Sequence, residues 1–369
     1  MKIFIFYDIL YPVKQRGILQ KCTLFGKTGV GTLLKAALKT FGKIIVSGSI
    51  AFMILTLFCF LYYNIPVHST NKDGSTDYKW ESDVFYSQGR EGFGWGKTNN
   101  DGFSNMFDYG SNMEIDILIM GSSHMEARQM GIGQSAASKL NALLGTETVY
   151  NIGVSGHSFL TCANNLRAAL NKYQPTKYVV IETSSVSFSD PAIALAINEE
   201  TPELPSHNVG IIGLLQKNPY LRLIYAQISN YNVLQAEDIE DAEGFEVPAE
   251  SDTAVDENLL AELLHKMSVM AGEYGAKLII AYHPDISIAS DGTLNLNADQ
   301  NAITQFRRSC GANGILFLDM SSRFKEEYES SYILPYGFPN SPVGSGHLNQ
   351  FGHAMMADEL YSLILEDEP

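Results

Sequence analysis

From residue 114 onward the apolar positions follow two alternating rhythms. Short runs are apolar almost throughout: IDILIM (115–120), TVYNI (148–152), YVVIE (178–182), AKLIIAYH (276–283) and ILFLD (315–319). Between them, apolar positions recur every three or four residues. Phe159, Ala163, Leu166 and Leu170 do so in 158–172, and Leu259, Leu263, Met267 and Met270 in 257–272. Ile303, Phe306 and Cys310 do so in 298–310, and Met356, Leu360 and Leu363 in about 350–366. The first rhythm predicts strands covered on both faces, the second amphipathic helices. Their alternation predicts an α/β domain over 114–369 with a flavodoxin-like, doubly wound, parallel five-stranded sheet. In such sheets the chemistry collects outside the carboxyl ends of the strands. An insertion, 187–255, interrupts the alternation. Its apolar, tyrosine-rich part (210–231) predicts a helical cap over the site. Its end (236–256) holds nine acids and no base, and predicts a solvated loop.

A third pattern precedes the domain. Residues 44–65 carry no charge over 22 positions and end in tyrosines, which predicts a transmembrane helix with an interfacial belt. Residues 3–13 are apolar but too short to span and contain Asp8; they read as a membrane-surface segment or a mobile one. Residues 66–113 are polar with interleaved Tyr78, Trp80, Phe85, Tyr86, Phe93, Trp95 and Phe103. They predict a stalk and aromatic-rich lead-in whose rings pack on the domain or stack on sugars.

Charge adds direction. The net charge is −16, yet residues 1–43 carry eight Lys or Arg and one acid, leaving −23 for the remainder. Excess positive charge stays on the cytoplasmic side. The chain therefore reads as single-pass in the cell membrane, with 1–43 a cytoplasmic basic segment and the large domain extracytoplasmic. An acidic body argues against a nucleic-acid partner. Cys22, Cys59, Cys162 and Cys310 form no CxxC pair, and Cys162 and Cys310 read as buried thiols rather than a disulfide. No H-x-x-x-H or H-E-x-x-H spacing occurs, so neither a metal nor another cofactor is implied.

The first strand runs into Gly121-Ser122-Ser123-His124. A serine on a strand-to-helix turn presents its hydroxyl beside the unpaired N–H groups of the helix start, which can hold an oxyanion. Ser123 then needs a base. His347, just before the last helix, returns to the same edge of the sheet. His124 either contacts substrate or caps the helix.

Together these blocks resemble the SGNH (GDSL-like) hydrolase superfamily. Gly121-Ser122-Ser123 is similar to its Gly-Asp-Ser block, with Ser122 in the aspartate's place. NIGVSGHS (151–158) resembles the second block, which implies an oxyanion-hole role for the Gly156 N–H. His347-Leu348-Asn349 with Gly352 resembles the last block. Two departures stand out. No asparagine follows the third strand, leaving Thr183 or Ser184 as substitute donors. Gly344 stands where the family has the triad aspartate. Asp319 and Asp285, after the fifth and fourth strands, are then the candidates to orient His347, with Glu182 a third and a backbone carbonyl a fourth.

The resemblance implies a serine esterase or deacetylase, or an O-acyltransferase, acting on an acylated carbohydrate or other ester of the cell envelope through an acyl-enzyme. From a different class, an inactive SGNH-fold protein that binds glycan or serves assembly also accommodates the two departures. A lipase-like enzyme at the membrane surface is a third reading.

Overall fold

The computed structural model describes residues 28–70, 76–110, 112–198, 217–235 and 257–367. The acidic run 236–256 and the apolar segment 3–13 lie outside them. Contacts divide the chain after Ile54. The described part of the first unit belongs to one helix, α1 (Thr28–Tyr62), whose stretch Gly31–Tyr62 contains an 18-residue window of mean hydropathy 2.5 and is long and apolar enough to cross a membrane. The helix stops at Tyr62, three residues short of the expected limit, because Tyr63 and Asn64 turn into a sheet.

The second unit holds everything from Leu55 on. Its centre is a sheet of five parallel strands: β6 (Ile117–Met120), β7 (Val149–Asn151), β8 (Tyr178–Thr183), β9 (Lys277–Tyr282) and β12 (Leu316–Asp319). Their order in space is β12-β9-β8-β6-β7, so in chain order the strands run 2-1-3-4-5, which is the flavodoxin-like winding. Every expected strand is present, and the three central ones are buried on both faces, as near-continuous apolar runs require.

Helices cover the two faces. On one lie α4 (Phe159–Tyr173), α5 (Asp190–Ile197), α7 (Glu257–Gly272) and α8 (Gln300–Ala312), with Leu166, Leu170, Leu264 and Phe306 in the core. On the other lie α3 (Ala136–Leu144), α9 (Ser321–Ser331) and α10 (Gln350–Asp367), with Leu140, Phe324, Met356 and Leu360. The winding reverses between β6 and β8, so the crevice opens at the carboxyl ends of these two neighbours.

The lead-in is not a stalk. It folds as β1 (Tyr63–Asn64), β2 (His68–Thr70), β3 (Thr76–Trp80), β4 (Phe85–Gln88) and β5 (Gly94–Lys97) within the same compact unit. β1, β4 and β5 form an antiparallel sheet. Its residues are held by burial: Trp80 and Tyr86 are inside, and Asn99, Asp101 and Asn105 bond into the body. A further hairpin, β10 (Asp285–Ile288) with β11 (Leu294–Asn297), follows β9. Of the insertion, α5 and α6 (Pro219–Gln235) are described. At the start of α6, Lys217 lies 4.0 Å from Glu81, so the expected cap is tied at this end to the lead-in.

Candidate active site

Just past β6, Ser122 caps a four-residue helix, α2 (Ser123–Glu126), and its hydroxyl accepts the His124 N–H at 3.2 Å. Ser123 is the first residue of that helix, so its backbone N–H has no acceptor within the turn. Its Oγ lies 2.8 Å from His347 Nε2. His347 Nδ1 lies 2.5 Å from Glu91 Oε2, and the His347 backbone N–H donates to Glu91 Oε1 at 2.7 Å. The network sets the tautomer: Nδ1 carries the proton shared with the carboxylate, and Nε2 is free to accept from Ser123. Burial pushes the Glu91 carboxyl up, but the hydrogen bonds and charge of His347 outweigh it and hold it below the ordinary value.

Glu91 sits in the turn between β4 and β5, and that turn is pinned. Asn340 Oδ1 accepts from Gly92 N at 2.8 Å, and its amide donates to the carbonyls of Gly89 and Gly92 at 2.9 and 3.0 Å. Gly346 lets the carboxylate in. Its φ is +89°, and a Cβ there would lie 2.1 Å from Glu91 Oε1. The sequence points to Asp319, Asp285, Glu182 or a backbone carbonyl as the acceptor for His347, and Gly344 stands at the family position. The acceptor comes instead from the lead-in, ahead of the nucleophile. The alternating polar and aromatic residues of 76–97 were the available signal that this segment folds as hairpins.

The other acids are engaged elsewhere. Asp319 pairs with Arg307 at 2.5 Å and accepts from Ser321 N at 3.0 Å, while Asp285 is exposed on β10. Glu182 is fully buried at the end of β8. Its Oε2 accepts from both the N–H and the hydroxyl of Ser122, at 2.7 and 2.9 Å. Its Oε1 lies 2.8 Å from His283 Nε2. Tyr336 gives its own proton to Pro284 O, so the 2.6 Å contact with His283 Nδ1 is a donation from the imidazole. The buried Glu182–His283 pair anchors the turn from beneath. A carboxylate still stands behind the nucleophile turn, supplied by β8 rather than by the residue before Ser123.

Gly156 has φ +87° with open space where a side chain would be. Its loop is fixed through Ser155, whose N–H donates to Glu126 at 3.2 Å and whose hydroxyl also bonds that carboxylate. Glu126 further accepts from the Trp80 indole and pairs with Arg128 at 2.9 Å. Nucleophile helix and Gly156 loop are thus one rigid piece. The Thr183 hydroxyl spends its proton on Ser185 O at 2.6 Å, which removes it as an oxyanion donor. Ser184 is exposed. His124 packs its ring 5.1 Å from that of His347 and 4.7 Å from that of His283, and its Nδ1 accepts the Leu348 N–H at 3.2 Å. Burial, then the neighbouring His283 charge, lowers its pKa to about 3, so the ring is neutral.

No family model matches the chain, and no curated protein does. Among solved structures the chain is similar to TesA, at 14% identity over 67% of this chain and 96% of that one, TM-score 0.33. It is similar to an acetyl xylan esterase, at 12% over 67% and 98%, TM-score 0.39. It is also similar to a GDSL-like lipase from Bacteroides thetaiotaomicron, at 12% over 68% and 87%, TM-score 0.34. SGNH and GDSL-like hydrolases, esterases and acylhydrolases recur among these structures. At these scores they add a description only; the fold rests on the strand order above.

Proposed function

We propose that the chain is an SGNH-type serine esterase or O-acyltransferase. The observation that carries this reading is the continuous line Ser123–His347–Glu91, at 2.8 and 2.5 Å. Ser123 Oγ attacks the acyl carbon of an ester while His347 Nε2 takes its proton. The tetrahedral oxyanion is held by the N–H groups of Ser123 and Gly156. His347 returns the proton to the departing alcohol, leaving an acyl-enzyme. Water or a sugar hydroxyl, deprotonated by His347, then takes the acyl group and restores Ser123. Glu91 keeps the ring in its productive tautomer and offsets the charge of the imidazolium.

α1 acts in this reading as a membrane anchor, with 1–43 cytoplasmic and the catalytic body extracytoplasmic, where esters of an acylated carbohydrate are the substrate class. The test is a fluorophosphonate probe on the full-length protein in detergent. Labelling is expected for the wild type and lost in Ser123→Ala and in His347→Ala. An unlabelled wild type would sink the enzyme reading, and labelling that survives Ser123→Ala would sink the nucleophile. p-Nitrophenyl acetate turnover with and without added glycan then separates hydrolysis from transfer.

A further inference from the structure

The small sheet β1-β4-β5 has two unlike faces. Cross-strand partners share a face. Tyr86, opposite Gly96, points into the body and is 1% exposed. The other face carries Phe85 and Ser87, with Trp95 opposite Ser87 and Asn64 opposite Ser87 on the far side. This face meets the last turns of α1. The Ser87 hydroxyl donates to Phe60 O at 2.8 Å, and the Asn64 amide donates to Phe85 O at 2.7 Å. The Phe85 ring stacks on Phe60 at 4.9 Å and lies 6.3 Å from Trp95. Gly89 passes so close under Tyr62 that a Cβ there would sit 2.6 Å from its carbonyl oxygen. Yet Trp95 is 67% exposed and Phe93 65%. Through Phe85, the Trp95 ring joins Phe60 near the end of the apolar helix, where Leu61 and Tyr62 are also exposed; Phe93 lies two residues before Trp95.

We propose that Trp95 and Phe93 sit in the polar boundary of the bilayer, and that the site therefore takes its acylated carbohydrate in a lipid-linked form. This rests on the anchor and esterase readings above. The occupant follows from continuity: an exposed tryptophan joined ring to ring to the end of an apolar span belongs in the interfacial belt. The substrate class follows from reach. Glu91 lies four residues before Trp95, so their Cα atoms are at most about 14 Å apart. The polar zone of each leaflet is itself roughly 5–8 Å deep. Glu91, and with it His347 and Ser123, is thereby kept within reach of that zone, where a lipid-linked ester arrives by lateral diffusion.

The two tryptophans make the location measurable, since Trp80 is buried and Trp95 is not. Full-length protein carrying Trp80→Phe is reconstituted in phosphatidylcholine vesicles brominated near the headgroup. Loss of most Trp95 emission relative to unbrominated vesicles is expected; unchanged emission overturns the proposal. Emission that ignores bromine but responds to added oligosaccharide assigns the face to sugar stacking and overturns it equally. Should Trp80→Phe fail to fold, the difference between wild type and Trp95→Phe gives the same readout. For substrate class, Phe93→Ser/Trp95→Ser is expected to turn over p-nitrophenyl acetate in water like the wild type. On p-nitrophenyl decanoate partitioned into vesicles it is expected to lose about tenfold, or ~1.4 kcal/mol. Equal effects on both esters overturn the lipid-borne substrate. A wild type inert to both overturns the esterase reading alone, since the quenching does not depend on it.

Discussion

Glu91 and His347 are joined by two hydrogen bonds across a sequence separation of 256 residues. One carboxylate oxygen fixes the backbone of the histidine and the other its ring, so position and tautomer are set together. Glu91→Gln keeps the shape but presents an amide to Nδ1 and disfavours the productive tautomer. A loss in kcat of roughly 10²–10⁴-fold is expected, with KM little changed. Steady-state kinetics on p-nitrophenyl acetate read this directly, and a variant with full kcat would remove Glu91 from the triad.

Gly346→Ala should mimic that loss without touching any reactive group. The added methyl meets Glu91 Oε1, and the φ of +89° strains any other residue. The fluorophosphonate labelling rate should fall in parallel with Glu91→Gln. The double variant should be no worse than either single change, because both break the same contact.

Asp319→Asn and Asp285→Asn should leave kcat within about twofold, since neither acid approaches His347. Asp319→Asn should still cost up to about 1 kcal/mol of stability, through the lost charge of its partly exposed pair with Arg307. A hundredfold fall in kcat with unchanged thermal stability would reinstate one of them as the orienting acid.

Breaking the Glu182–His283 pair should cost far more stability. Both side chains are buried, and removing one leaves polar atoms of the other without a partner, a loss of about 1–3 kcal/mol. Glu182→Ala should therefore lower the denaturation midpoint well beyond Glu91→Ala. Similar midpoints would show that the pair contributes little to stability.

Acid should unfold the protein in a defined window. His124 and His353 are held neutral down to about pH 3, against an ordinary value of 6.5, chiefly by burial. His353 Nδ1 also accepts the Ala136 N–H, a bond that protonation would break. Between those limits the unfolded chain binds protons that the fold does not. Stability is therefore complete above pH 6.5 and falls toward pH 3, by up to about 1.4 kcal/mol per pH unit for each histidine. Glu91 and Glu182, both depressed below 4.5, add to the loss only beneath that value. Thermal melts from pH 8 to 3 should be flat and then decline. A melting temperature that rises on acidification would reverse the sign.

The central sheet was legible because its strands are apolar throughout, so no tertiary information was needed to find them or their order. Ser123 and His347 were legible because each follows an element whose type and place in the winding fix the edge it faces. Glu91 was not. It lies in a short turn of a segment rich in polar residues, and its role arises only when Asn340 and Gly346, far along the chain, close around it. The β10–β11 hairpin was missed as well. Asp285 read as a strand-end acid because the four residues of β10 alternate in burial too briefly to register as a strand. Thr183 read as a donor because hydroxyl direction is set by a local turn, which residue type alone does not reveal.

The orienting carboxylate, Glu91, stands between α1 and the nucleophile along the chain. Proteolytic release downstream of residue 91 would free a body that keeps its nucleophile and base but leaves the orienting carboxylate behind on the membrane. Shedding would thus act as an off-switch, and any secreted form would have to be cut upstream of β4.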